Sequence, residues 1–284
     1  MCVLPLIKIK QIIVNKRNKE KMTATISVSK SAIFELIMAG LEAYAVKHQG
    51  SKSISVETAA HLWGYVNKTH PFKCTINHVS VETSAKRKRS SVEFSSESLL
   101  IKKDIAKVFG DQYQYIGTAH SHPYLREENI DAARIRKDKL YELSDVDHKC
   151  EIGYPEIEVT GKSYSVALVL TVHSMLKADD RKDGTSFGEP LIEFSLGNIK
   201  FWLYGRVFEH KSKSSLSDEE RHSYERYKLA LSNVPNDKIV PVPLETVLES
   251  GVFIDTLCKD FGRLRFFDNE SEYDLATVAE RRWG

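Results

Sequence analysis

An extended run from Tyr113 to Ala119 opens directly onto His120-Ser121-His122-Pro123, and Ser144-Asp145-Val146-Asp147 follows further along. No other part of the chain constrains the fold as tightly. Two histidines two residues apart on an extended backbone project to the same side. Ser144 and Asp147, three apart, share a face in the first turn of a helix. A fold that joins this strand end to this helix start gathers two imidazoles and a carboxylate. Three protein ligands is the number at which a catalytic zinc keeps a fourth position for water. Each half also has a plainer reading. The histidines are then polar residues on a strand, and Ser144 is an N-cap with an acidic residue at N3, a capping box.

Upstream lies Val56-Glu57-Thr58-Ala59-Ala60-His61-Leu62-Trp63-Gly64-Tyr65-Val66, a carboxylate leading into an apolar run with a glycine inside it. Glycine in a strand marks close approach of another backbone. A glutamate seven residues before a strand glycine, then His-Ser-His-Pro, then Ser-x-x-Asp, resembles the JAMM (MPN-plus) zinc metallopeptidase family over roughly residues 24–210. The resemblance implies an α/β fold of the α+β type. Its core would be a mixed, largely antiparallel curved sheet flanked by helices, JAMM/MPN-like and related to cytidine deaminases. It also implies that His120, His122 and Asp147 bind Zn2+, that Glu57 is the general acid/base, and that Ser144 stabilises the oxyanion. The chain departs from the family in one place: 20 residues separate Pro123 from Ser144, a longer spacer than the family's. Asp145 is a competing ligand that breaks the Ser-x-x-Asp spacing. Asp131 is closer to Pro123, but Glu128 and not serine stands three before it.

The chemistry this implies is amide hydrolysis. A zinc-held water is acidified toward neutrality, Glu57 shuttles its proton to the departing amine, and the Ser144 hydroxyl donates to the developing oxyanion. The expected substrate is a protein or peptide, a ubiquitin-like modifier with an isopeptide or linear bond among them. The alternative is a catalytically silent scaffold of the same fold that serves as an assembly partner. Such scaffolds lose the metal motif, whereas all five residues are present here.

Composition excludes other classes. A net charge of +2 on 284 residues does not select nucleic acid or a membrane surface as partner. The one dense basic cluster, Lys86-Arg87-Lys88-Arg89, lacks interleaved aromatics and reads as a solvated hairpin tip. The four cysteines, Cys2, Cys74, Cys150 and Cys258, have no C-x-x-C spacing, so reduced thiols and a cytoplasmic location are expected. No apolar run is long enough for a membrane helix, and the N-terminus lacks the layout of a signal peptide.

Three segments are expected. Residues 1–23 form an N-terminal arm, either disordered, strand-adding, or preceding an alternative start at Met22. Residues 24–210 form the catalytic domain. It has a strand at Thr25–Val28 and a helix capped by Ser31 that runs to near Gly50. A hairpin over 74–94 follows, then a helix begun by Ser95 and Ser96 and closed at Gly110. An insertion at 125–143, rich in Arg, Lys, Glu and Ala, reads as a helix beside the metal that gates or binds substrate. Strands are expected at 163–173, 191–197 and 199–208, with a loop at Asp183-Gly184 and a tight hairpin at Gly197-Asn198. Lys211–Ser215 reads as a linker into a mainly helical C-terminal extension, 211–284. That extension carries a capping box at Ser217–Glu220, a helix with Tyr224, Tyr227 and Leu231, and an apolar segment over 247–261. The remaining histidines show no ligand spacing, and His148 reads as a surface residue.

Overall fold

The computed structural model describes residues 23–250 apart from 47–54, 88–91, 126–127, 151–155, 176–183, 186–188, 197, 227–230 and 232–233. The arm over 1–22, the helix end near Gly50, Lys88, Arg89, Asp183, Gly197, Tyr227 and the segment past Ser250 therefore lie outside the described residues. In chain order the elements are β1 (Ala24–Val28), α1 (Lys30–Ala45), β2 (Ala59–Asn67), β3 (Lys73–Val81), β4 (Lys86–Arg87) and β5 (Val92–Glu93). Next come α2 (Ser96–Phe109), β6 (Gln114–Tyr124), α3 (Ala132–Lys137), α4 (Asp145–Cys150), β7 (Ile157–Val159) and β8 (Lys162–Ser174). The last are β9 (Gly184–Thr185), β10 (Leu191–Leu196), β11 (Ile199–Ser212), α5 (Asp218–Arg226), β12 (Ile239–Pro243) and β13 (Thr246–Glu249).

One mixed, mostly antiparallel sheet dominates, in the order β13-β1-β3-β2-β6-β8-β11-β10-β9, with β12 paired to β11 and β7 to β8. It curves until it nearly closes. The Leu248 N–H at one end of the order donates to the Glu189 carbonyl beside β10 at 3.1 Å. A Cβ built on Gly205 of β11 would meet Leu168 of the neighbouring β8 at 3.0 Å and Ile26 and Leu248 at 3.1 Å, so β1 and β13, far away in the strand order, also converge on that glycine.

The central strands β8 and β11 are covered on both faces, and for that reason they read as almost unbroken apolar runs. Alternation sorts their side chains between two cores. Val166, Leu168, Leu170 and Val172 of β8, with Phe201, Leu203 and Val207 of β11, enter the main core with α1. Ala167 and Val169, with Trp202, Tyr204 and Phe208, meet Ile135, Tyr141 and Leu143 on the other side. The insertion is thus a structural cover for the sheet. Among its described residues the one α-helix is Ala132–Lys137, because a single fully buried apolar residue in that turn, Ile135, cannot support a longer amphipathic stripe.

Several local expectations shift. Ser29, not Ser31, caps α1, its hydroxyl accepting from the Ala32 N–H at 3.2 Å. The expected hairpin over 74–94 does not form as such. β3 pairs instead with β2 and, in parallel, with β1, and only the short β4 and β5 pair with each other. Lys211–Ser215 is no linker, since β11 continues to Ser212 and a 3-10 turn buries Lys213. The extension expected to be mainly helical sends β12 and β13 into the sheet, alongside the helix α5. The Ser217–Glu220 capping box does form, with reciprocal bonds of 2.9 and 3.2 Å. Gly64 is the close approach its strand context suggests, for a Cβ there would lie 1.9 Å from the Thr75 carbonyl oxygen. Among the described residues no helix is long and apolar enough to cross a membrane.

Candidate metal centre

β6 delivers the histidines. It lies between β2, antiparallel, and β8, parallel, so its backbone is held from both sides. The parallel step from β6 to β8 requires a long crossover, and the chain uses it to bring in the insertion and α4. α4 begins with Ser144 as a true capping box. The Ser144 N–H donates to Asp147 Oδ2 at 2.7 Å, and the Asp147 N–H donates to Ser144 Oγ at 3.3 Å. The capping reading and the ligand reading of Ser-x-x-Asp are therefore compatible. The cap fixes the Asp147 carboxylate in the rotamer that faces β6.

His120 Nε2 lies 3.3 Å from Asp147 Oδ1, and His122 Nε2 lies 3.4 Å from Asp147 Oδ2. The two Nε2 atoms are 3.1 Å apart. His120, His122 and Asp147 thus form a group whose donor atoms all lie within 4.8 Å of one another and that can hold a metal ion. Two imidazole nitrogens with one carboxylate oxygen are a donor set suited to a divalent transition metal. The competing carboxylates are elsewhere. Asp131 caps α3, accepting from the Arg134 N–H at 2.7 Å, and Asp145 is an exposed residue in the first turn of α4.

Glu57 enters from the strand edge. The pairing of Ala59 with His120 extends backward, and Ser121, between the histidines, locks it: its Oγ accepts from the Thr58 N–H and its N–H donates to the Thr58 carbonyl, both at 3.0 Å. This register sets Glu57 across from His122 on the same face. Glu57 is 9% exposed. Burial pushes its carboxyl up to about 7; His122 works against the shift and the charge of Asp147 adds to it. Burial also disfavours ionised Asp147, but hydrogen bonds and charge from His120 and His122 prevail and hold it well below the usual carboxylate range. Glu57, the three candidate ligands and Ser144 line one cleft of about 370 Å³, with Phe94 on its apolar wall.

Sequence reasoning missed the supporting groups. The Leu140 carbonyl, inside the insertion, accepts from His122 Nδ1 at 3.4 Å and from the Tyr124 hydroxyl at 3.2 Å. The Tyr124 carbonyl in turn accepts from the Tyr44 hydroxyl at 3.2 Å and from His173 Nδ1 at 3.0 Å. His148 is buried against Phe208, ring edge to face at 5.6 Å, not on the surface. Burial lowers its pKa to about 4. A second buried polar cluster joins His61 Nε2 to Glu82 Oε2 at 2.6 Å, with Lys102 Nζ 3.4 Å from the same oxygen. No motif announces a backbone carbonyl or a long-range pair, and β2 is buried continuously from Ala59 to Gly64, so no alternation singles out His61. Comparison with protein-family models finds no match, and comparison with curated proteins finds no significantly similar chain.

Proposed function

We propose that the chain is a zinc-dependent peptidase or isopeptidase of the JAMM type, hydrolysing an amide bond in a protein or peptide substrate. A ubiquitin-like modifier is the substrate class that the family resemblance suggests. The observation that supports this best is the convergence of His120 and His122 Nε2 with the Asp147 carboxylate, in a cleft that also holds Glu57. When bound, zinc would supply Lewis-acid activation of a water and of the scissile carbonyl. The protein residues have separable tasks. A carboxyl poised near 7 suits a group that both takes and returns a proton at neutral pH, so Glu57 accepts the proton of the attacking water and hands it to the leaving amine. Ser144 Oγ accepts from the Asp147 N–H, which leaves its own proton free to donate toward a carbonyl oxygen in the cleft.

The test is metal analysis of protein purified without added zinc, followed by cleavage of modifier fusions and isopeptide conjugates with and without chelator. Glu57→Gln should keep zinc and lose roughly 10²- to 10⁴-fold in turnover. Zinc-loaded parent protein that cleaves nothing the Glu57→Gln protein leaves intact would shift the assignment to a silent scaffold.

A further inference from the structure

The insertion was expected to lie over the site as a gate. Its backbone does something more specific. α3 ends in a Schellman turn: the Leu140 N–H donates to the Ile135 carbonyl at 2.9 Å and the Lys139 N–H to the Arg136 carbonyl at 3.4 Å. Such a turn requires a left-handed residue, and here Lys139 supplies it with φ 53° instead of the usual glycine. The Lys139 side chain is 65% exposed, and among the described residues its ion pair is with Glu142, at 3.6 Å. Ile135 is fully buried and Leu140 packs against the same cluster, so the turn is clamped from within.

The turn determines where the Leu140 carbonyl points, and it points at His122 Nδ1. A carbonyl can only accept, so the imidazole carries a proton on Nδ1, which leaves the Nε2 lone pair for a metal ion shared with His120 and Asp147. The Tyr124 hydroxyl donates to the same carbonyl and holds it from a second side.

We propose that the left-handed turn at Lys139–Leu140 is the positioning device for His122, so that the insertion is a working part of the metal centre and not a cover that can be removed. This rests on the metal reading of His120, His122 and Asp147. Lys139 and Tyr124 are positioning residues, acting on the metal only through the Leu140 carbonyl and His122.

The test measures zinc and cobalt affinity of the full chain by competition with a chromophoric chelator. A β-branched side chain disfavours positive φ, so Lys139→Val should weaken binding by roughly 10- to 100-fold, the range for loss of a group that orients a ligand. Lys139→Gly fits the turn without strain and should restore parental affinity, since an exposed ion pair with Glu142 contributes little. Tyr124→Phe removes one donor to the carbonyl and should weaken binding without touching the turn, which keeps the test alive if Lys139→Val does not fold. In the zinc-loaded parent, the His122 Nδ1 proton should give a resolved, hydrogen-bonded NMR resonance that Lys139→Val loses. Parental affinity and an unchanged resonance in both Lys139→Val and Tyr124→Phe would overturn the positioning role and leave the metal reading standing. A parent chain that binds neither metal would overturn both.

Discussion

Glu57→Gln separates the electrostatics of the cleft from its shape, because the amide keeps the size of the carboxyl and removes its charge. Burial raises the Glu57 carboxyl from 4.5 to about 7 in the folded chain. A folded pKa above the unfolded one means that the native state binds more protons. The group's contribution to stability is then complete below 4.5 and is lost as pH rises through about 7. At about 1.4 kcal/mol per unit, the ionised side chain would cost the metal-free fold about 3 kcal/mol above pH 7. Water in the open cleft reduces this to about 2 kcal/mol. Metal-free Glu57→Gln should therefore be more stable than the parent by about 2 kcal/mol more at about pH 8 than at about pH 5. Urea denaturation of chelator-treated proteins, followed by circular dichroism at both pH values, measures the increment. Saturating zinc should shrink it, since a cation beside the carboxylate lowers its pKa again. An increment that is the same at both pH values would refute the picture of a buried, proton-holding Glu57.

Three further outcomes follow from the geometry. His122→Ala and Asp147→Ala should each lose divalent metal with the far-ultraviolet circular dichroism unchanged, whereas Asp145→Ala, altering an exposed residue, should keep it; the reverse pattern on metal analysis would show that the wrong carboxylate has been assigned. Glu82→Ala removes the fully buried carboxylate that serves His61 and Lys102 and should cost about 3 kcal/mol on urea titration, with a loss under about 1 kcal/mol excluding a structural pair. Ile135→Ala should cost about 3 kcal/mol by opening a cavity between the insertion and the sheet, while Val108→Ala, 85% exposed on α2, should cost almost nothing; equal losses would mean that the insertion is not part of the core.

What could be read from the chain without its fold depended on the range of the interaction. Alternation placed β1, and apolar runs bounded by turn residues placed β6, β8, β10 and β11 within a few positions; the Ser95–Gly110 and Ser217–Glu220 boundaries were signalled by their own caps. The α1 cap went two residues astray because Ser29 and Ser31 are both plausible N-caps, and only the packing of Ile33 and Leu36 selects between them. The 74–94 hairpin failed for a different reason. β3 has an apolar partner on each side in β1 and β2, and a strand's neighbours are decided by the whole sheet and not by the nearest turn.

The five candidate site residues were visible in the sequence because their chemistry is carried by side-chain type and by spacings of two and three, which local geometry converts into shared faces. That Glu57 lies opposite His122, 65 positions away, is a matter of register that Ser121 and Thr58 settle across two strands. The roles of Leu140 and Lys139 belong wholly to tertiary structure. A backbone carbonyl is the same in every residue, so no sequence pattern can mark the one that meets an imidazole. Its direction is set by a left-handed turn, and that turn persists only because Ile135 and Leu140 are buried beneath it.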